Sequence, residues 1–568
     1  MNLRTLTGAA GGLALAVAAL AGASAHAVEP RAADLDGVEP LPRITASDDP
    51  AERSLVDAES GEPFVPRGNN YVRLAPVADR HHHSTFEPGE YDPERTDAAL
   101  AYMSESGYNV VRVFLDAGHP QHSADGIPHG LGHGDDDDSV GNAGYLDNVA
   151  DFIVRAADHG LYVLPAMDYY PFNAYYAEIQ AGSAPQQPNI EGWNSFYMQR
   201  SWIDAKAAYL TNFVTEIRDR VGEPLMTTLL ALETDNEATY EANRKPFSLT
   251  SGQVTGPNGQ TYDMAVPAQR QALGDDSMVE YANSLVAAVR DVDPDLMVTT
   301  GMFTYAAVDK APDGFSVHCD TGGDADACQD RDYRYPARPA SLDDSDLSFL
   351  DLHLYPEPNK DLARNLASSE WDEVTGPVIV GEFGAQRAHH GNDVRAVAIA
   401  MRDLRVATCQ AGFSGWVYWT WDTDEEEIQR LFVTATEQDG AVNGQLAPVV
   451  RYDPCVAEPT SPPPTPEPTD DPSEEPTEEP SEEPTGEPSE EPSEEPTGEP
   501  SEEPSDDTTA EPTADPTSDV PADSDDDSAE PPLPDTGAGD VATMVALAVV
   551  VAAAGVLLVA RGRLRHQH

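Results

Sequence analysis

The feature that most limits what this chain can fold into is a unit that returns along its first 455 residues: a helical apolar pattern, a break, then a short apolar run without alternation. Leu146, Val149, Ile153 and Ala156 recur at helical spacing, Gly160 stops the pattern, and Leu161-Tyr162-Val163-Leu164 follows. The order returns with Leu210, Phe213, Ile217 and Val221 ahead of Leu229 to Leu232, and with Tyr281, Leu285 and Val289 ahead of Met297 to Thr300. It returns again with Val394, Val397, Met401 and Leu404 ahead of Gly415 to Trp421. A run apolar on both faces is a strand covered on both sides, and helices between such strands make them parallel. Further runs at Phe64 to Arg67, Val110 to Phe114, Leu347 to Leu354 and Pro377 to Gly381 bring the tally to eight. Eight such strands predict an α/β fold, a closed (β/α)8 TIM barrel spanning residues 28–455. An open doubly wound sheet is the competing topology, and the chain lacks the GxGxxG turn that would favour it.

The flanks read differently. Residues 1–27 have the order of a secretion signal: Arg4, an apolar stretch from Leu13 to Ala21, and Ala25-His26-Ala27 as a small-residue cleavage site. Residues 456–530 are Pro, Ser, Thr and acids on a four-residue beat and cannot build a core, so they are expected to be a disordered, extended stalk on the order of 200 Å long. In residues 531–568, Leu533-Pro534-Asp535-Thr536-Gly537 precedes an apolar run from Val541 to Ala560 and then Arg561, Arg563 and Arg565. The run has the length of a transmembrane helix, with the arginines on its cytoplasmic side. This trio resembles the LPxTG sorting signal. The resemblance implies transient membrane insertion, cleavage by a sortase between Thr536 and Gly537, and covalent attachment to peptidoglycan of a Gram-positive cell wall; a simple membrane anchor is the alternative.

Charge narrows the partners. The formal net charge is −68; 28 of the 101 acids lie in the stalk, leaving 73 against 33 bases, so the folded part is acidic and nucleic acid is not an expected partner. The four cysteines, Cys319, Cys328, Cys409 and Cys455, fall in the exported part, and their spacing offers Cys319–Cys328 and Cys409–Cys455 as disulfides rather than zinc ligands.

In barrels of this kind, reactive groups gather at the C-terminal ends of the strands. The run ending at Leu232 leads into Thr234-Asp235-Asn236-Glu237, and Val378-Ile379-Val380 leads into Gly381-Glu382-Phe383-Gly384. Two carboxyl groups on separate strands suit glycoside cleavage, where one protonates the leaving oxygen and the other attacks or supports the anomeric carbon. Glu233, four residues before Glu237, is a rival acid whose place inside the strand end fits a supporting role better.

Arg67-Gly68-Asn69-Asn70, Gly107-Tyr108-Asn109-Val110-Val111-Arg112, Asn236-Glu237, His353-Leu354-Tyr355, Gly381-Glu382-Phe383-Gly384 and Trp419, taken in that order, resemble glycoside hydrolase family 5. The resemblance implies a retaining hydrolase of a β-linked polysaccharide such as mannan, cellulose or a related glucan, needing no cofactor or metal and expected as a monomer. Glu237 would be the acid/base and Glu382 the nucleophile. Asn236 would meet the sugar 2-hydroxyl, Arg112 and Tyr355 would orient Glu382 with His353 beside them, and Trp419 would be the sugar platform, with Trp421 and Tyr418 as rivals. The pattern breaks after the third strand, where Met167-Asp168-Tyr169-Tyr170 stands in place of the family's histidine; Asp168 and Tyr169 are candidate replacements.

His81-His82-His83, the His119 to His133 stretch and Asp135 to Asp138 invite a metal, calcium included. Consecutive acids cannot all face one ion, and the histidines lack helical spacing, so they read as solvated loops. Two further readings remain open beside the hydrolase: a surface adhesin that kept the barrel and lost turnover, and a transglycosylase using the same covalent intermediate. Which polysaccharide is bound, and whether cleavage is endo or exo, does not follow from the sequence.

Overall fold

The computed structural model describes residues 37–451 and 455, except 48, 50–51, 73–84, 116–129, 132–140, 168–172, 312–313, 316–332, 359 and 424–425. The signal, stalk and sorting segments, Cys319 and Cys328, Asp168 and Tyr169, His81 to His83, Asp135 to Asp138 and most of the His119 to His133 stretch lie outside these residues. Among the described residues no helix is long and apolar enough to cross a membrane.

Eight parallel strands form the core: β1 (Arg67–Asn70), β2 (Val110–Phe114), β3 (Tyr162–Ala166), β4 (Leu232–Glu233), β5 in two pieces (Val298–Thr299 and Gly301–Phe303), β6 (Leu350–His353), β7 (Val378–Phe383) and β8 (Gly415–Tyr418). Each pairs with the next, and β8 pairs with β1 through Trp416↔Arg67. The first piece of β5 pairs with β4 and the second with β6, so one strand joins both edges and the barrel closes. Between strands run α1 (Pro93–Glu105), α2 (Ala143–Asp158), α3 (Arg200–Val221), α4 (Pro267–Val292), α5 (Leu362–Ser368) and α6 (Val394–Gln410); among the described residues, the helical elements between β5 and β6 are the four-residue helix Pro339–Leu342 and the 3-10 turn Tyr305–Val308.

Local sequence explains where the helices start and stop. Asp92 and Asn142 cap α1 and α2, their side chains accepting the N–H groups of Glu94 and Arg95 and of Tyr145, and Pro93 follows as a pre-set first helical residue. Gly160, at φ +71°, ends α2 with a left-handed step that other residues rarely take, and β3 starts two residues later. Helix residues such as Phe152, Ile153, Leu210 and Phe213 pack with the outward strand residues Val111, Val113, Val163 and Val380 in one continuous core.

The inward residues form layers. Val110, Tyr162, Leu164, Leu230, Met297, Phe349, Ile379 and Val417 fill the N-terminal end of the barrel. A three-stranded antiparallel sheet, Ile44–Ala46, Leu55–Asp57 and Pro63–Phe64, covers them with Ile44, Leu55 and Phe64. The Tyr162 hydroxyl donates to the Pro42 carbonyl at 2.6 Å, fixing that cover in place.

Three strand expectations need correction. Phe64 belongs to the covering sheet and β1 starts at Arg67, because the polar Arg67-Gly68-Asn69-Asn70 run hides a strand whose neighbours supply the apolar contacts. The fourth ladder is only Leu232–Glu233, with Leu229 bridging to Val163. The last strand ends at Tyr418, after which Trp421 N–H turns to the Asn70 carbonyl. Cys409, on α6, and Cys455 are joined in a disulfide across a 46-residue separation.

Candidate active site

Strand periodicity explains which side chains meet inside. On β2, Val110 points inward at the bottom, Arg112 two residues higher and Phe114 at the top, while Val111 and Val113 face the helices. On β6 the inward series is Phe349, Asp351 and His353. On β8 it is Val417 and then Trp419, whereas Trp416 and Tyr418 face outward.

Strand β7 departs from this rule at the residue that matters. Val380 pairs with Trp416 and Phe383 with Tyr418, so Gly381 and Glu382 together stand opposite the single residue Val417. This is a β-bulge, with two residues facing one. Strict alternation would bring Gly381 inward and send Glu382 out to the helices; the extra residue lets Glu382 reach the interior as well.

Arg112 is the hub, and all five of its N–H donors are used. Its Nε and one terminal nitrogen clamp Glu233 at 2.7 Å each. The same terminal nitrogen donates to Asn236 Oδ1 at 2.8 Å, and the other donates to Asn70 Oδ1 at 2.8 Å and Glu382 Oε1 at 2.6 Å. Arg112, Glu233 and Glu382 are fully buried. Burial opposes the guanidinium charge, but Glu233 and Glu382 outweigh it and hold Arg112 protonated well above the usual range.

The Tyr355 hydroxyl donates to the other oxygen of Glu382, Oε2, at 2.5 Å. Burial first, and the Glu382 charge second, push that phenol well above its usual range, so it stays a neutral donor. His353 Nδ1 lies 3.1 Å from Glu237 Oε1 and 3.6 Å from Glu382 Oε2. Desolvation pushes His353 down to about 3, against the opposing influence of Glu382, so the imidazole is neutral over the ordinary working range. One carboxyl oxygen each from Glu237 and Glu382 and a His353 nitrogen lie within 4.8 Å of one another.

The structure thus brings Arg112, Asn236, Glu237, His353, Tyr355 and Glu382 into one site. Trp419 lies beside them, fully buried, edge-on to Phe114 with centroids 5.9 Å apart, and the Trp419–Thr420 peptide is cis. Its rivals point elsewhere: the Tyr418 hydroxyl donates to the Val433 carbonyl, and Trp421 packs against Tyr102 and Tyr108. Glu233 is the bidentate partner of Arg112, which fits the supporting role expected for it. Side-chain exposure of Glu237 is 15%, against none for Glu382 and His353.

Two groups of ligand-type residues have cation-compatible spacing among the described residues: Glu233, Asp351 and His353, and Glu237, His353 and Glu382. The Arg112 guanidinium already supplies positive charge to Glu233 and Glu382. Asp351 and Asn70 were given no role from sequence. The signal for Asp351 was its place two residues before His353, which puts both on one face of β6. No such periodic cue marks Asn70, whose part depends on β7 and β8 folding beside it.

In sequence, no curated protein matches the chain. Among solved structures it is similar to exo-β-1,4-mannosidase Op5Man5 from Opitutaceae bacterium strain TAV5, at 16% identity and TM-score 0.43 over 72% of this chain and 62% of that one. It is also similar to endo-1,4-β-mannanase from Rhizomucor miehei, at 14% and 0.45 over 72% and 99%, and to endo-β-1,4-mannanase from Thermotoga petrophila, at 13% and 0.43 over 68% and 77%. The chain spans less than two thirds of the length of the Opitutaceae mannosidase. Residues 71–425, more than half of the chain, match the cellulase family, glycosyl hydrolase family 5, and the chain belongs to that family.

Proposed function

We propose that this protein is a retaining glycosidase that hydrolyses a β-linked polysaccharide of the mannan or glucan type by double displacement. The observation that carries the reading is the approach of carboxyl oxygens of Glu237 and Glu382 to within 4.8 Å. Retaining enzymes keep their two carboxyl groups roughly 5 to 5.5 Å apart, whereas inverting enzymes leave about 6.5 to 9.5 Å for a water. Both oxygens of Glu382 are held by charged or phenolic donors, which suits a carboxylate that must be ionised and aimed.

In the first step a Glu382 oxygen attacks the anomeric carbon while Glu237 gives its proton to the glycosidic oxygen; the carbon–oxygen bond breaks and the alcohol leaves. In the second, Glu237 takes a proton from water, the hydroxide oxygen attacks the anomeric carbon, and the ester bond to Glu382 breaks. Asn236 turns its carbonyl oxygen to Arg112, which directs its amide donors away from that contact and toward a sugar hydroxyl. Trp419 forms the apolar wall beside the reacting sugar. A sugar hydroxyl in place of water would give transglycosylation.

The same proposal places the enzyme outside the cell: residues 1–27 direct export, residues 456–530 act as a stalk, and sortase joins Thr536 to peptidoglycan after the Val541 to Ala560 segment has paused in the membrane. Incubation of the full chain with a sortase and a glycine nucleophile, followed by mass spectrometry, tests this; a product ending anywhere but Thr536 removes the wall anchor from the proposal.

Reducing-sugar release and product anomer should be measured on mannans, glucans, xylan and cellulose for the purified protein, Glu237→Gln and Glu382→Gln. The expected result is release with retained configuration, reduced on the order of 10²- to 10⁴-fold by Glu237→Gln, and lost in Glu382→Gln. Inverted product overturns the mechanism. Silence across the panel with glycan binding retained turns the reading to an adhesin.

A further inference from the structure

We propose that Asp351 is a further positioning residue of this site: held as a neutral carboxylic acid beneath the catalytic pair, it clamps the peptide that aims Glu382. This inference rests on Glu382 being the nucleophile.

The clamp is geometric. Asp351 Oδ1 accepts the Gly381 N–H at 2.6 Å, and the Gly381 carbonyl accepts from Asn70 Nδ2 at 2.9 Å. The two peptide groups that flank the Gly381 Cα at the bulge are therefore gripped from two strands, the N–H side by β6 and the C=O side by β1, immediately before the nucleophile. Gly381 is required by the same contact, because a Cβ there would lie 1.9 Å from Asp351 Oδ2 and 2.1 Å from Oδ1. Asn70 also accepts from Arg112, which in turn holds Glu382 Oε1, so one set of contacts fixes both the backbone and the side chain of the nucleophile.

The neutral state follows from counting charges and donors. Around Asp351 stand Arg112 from β2, Glu233 from β4, Glu382 from β7 and His353 from its own strand, all buried, with Glu237 at the rim; β5 brings no ionisable group. One guanidinium already faces two carboxylates, and its five N–H donors go to other residues. Asp351 Oδ2 makes no hydrogen bond and is 3.9 Å from Arg112 Nε, and His353 Nε2 is 3.9 Å from Oδ1. A third buried carboxylate with a bare oxygen would be costly, whereas a protonated one leaves a single hydroxyl to accommodate. Burial first, then the Glu233 charge, hold Asp351 well above the usual carboxylate range, in agreement with that count.

Asparagine copies a neutral acid: it keeps the acceptor for Gly381 N–H and carries no charge. The test compares Asp351→Asn with Asp351→Ala in the full-length protein. Asp351→Asn is expected to keep kcat within about threefold and leave the pH profile unmoved, while Asp351→Ala lowers kcat at least tenfold with KM nearly unchanged. An infrared band of a protonated carboxyl at neutral pH should disappear in Asp351→Asn, a readout that needs no turnover and stands even if Asp351→Ala does not fold. Loss of activity in Asp351→Asn equal to that in Asp351→Ala, a shifted acid limb, an unchanged band, or full kcat in Asp351→Ala would each overturn the proposal. A wild type that turns over no glycoside fails the hydrolase reading, and the infrared band still decides the charge of Asp351.

Discussion

At the N-terminal end of the barrel the inward positions are Val110, Leu164, Ile379 and Val417, sealed by Ile44 and Leu55; two or three residues further along β2, β7 and β8 they are Arg112, Glu382 and Trp419. The strands are the same and the spacing is nearly the same. Below, each side chain needs only volume and apolarity, and neighbours of similar size could be exchanged. Above, Arg112, Asn70, Glu233, Asn236 and Glu382 depend on one another across strands, so a change in one leaves others buried and unpaired. The lower half therefore carries stability with little specificity, and the upper half holds chemistry that the lower half must keep rigid.

Removing the hub should break the comparison most severely. Arg112→Met leaves Glu233 and Glu382 buried without their cation, and urea unfolding should show a loss of about 3–5 kcal/mol together with loss of turnover. If stability were unchanged, the upper layer would not be the interdependent network described above. In the lower layer, Leu164→Ala should cost about 2–5 kcal/mol from the cavity it opens while leaving kcat at a temperature well below unfolding within about twofold. A large fall in kcat would mean that the two layers are mechanically coupled.

The pH dependence comes next in size. His353 is pushed down to about 3 in the folded protein, whereas in the unfolded chain it titrates near 6.5. Between those values the unfolded chain binds a proton that the folded one refuses, so this contribution to stability is complete above about pH 6.5 and is lost as pH falls toward 3. At pH 5 the loss relative to pH 7 should approach about 2 kcal/mol, and His353→Gln should flatten that slope in unfolding experiments. An equal slope in wild type and variant would show that His353 is not buried neutral. The smallest effect belongs to Ile379→Val, about 0.5–1.5 kcal/mol in stability and none in pH profile, because one methyl leaves an apolar layer that can partly relax.

Much of this architecture was legible beforehand. The β2 expectation, Val110 to Phe114, matches the observed strand, and the others lie within a few residues, because non-alternating apolar runs mark strands covered on both sides. The first strand was misplaced because Arg67-Gly68-Asn69-Asn70 carries no apolar signal; its inward Asn70 serves the site. Glu237 and Glu382 stood out by position after a strand run. Asp351 did not, since an acid before Leu352-His353 looks like any strand residue until Gly381 is laid against it.

By itself the sequence determined the closed barrel, the family to which the chain belongs, and which polar residues end its strands, since periodicity and local motifs are properties of neighbours along the chain. Only the tertiary structure decided that Glu382 turns inward, that Arg112 spends every donor, and that Gly381 is clamped between β6 and β1. Those outcomes depend on the two-against-one register of β7 with β8 and on contacts between residues more than 100 positions apart, such as Arg112 with Glu233 and Glu382. Register and long-range charge pairing are set by which strands lie side by side, and no local pattern encodes that.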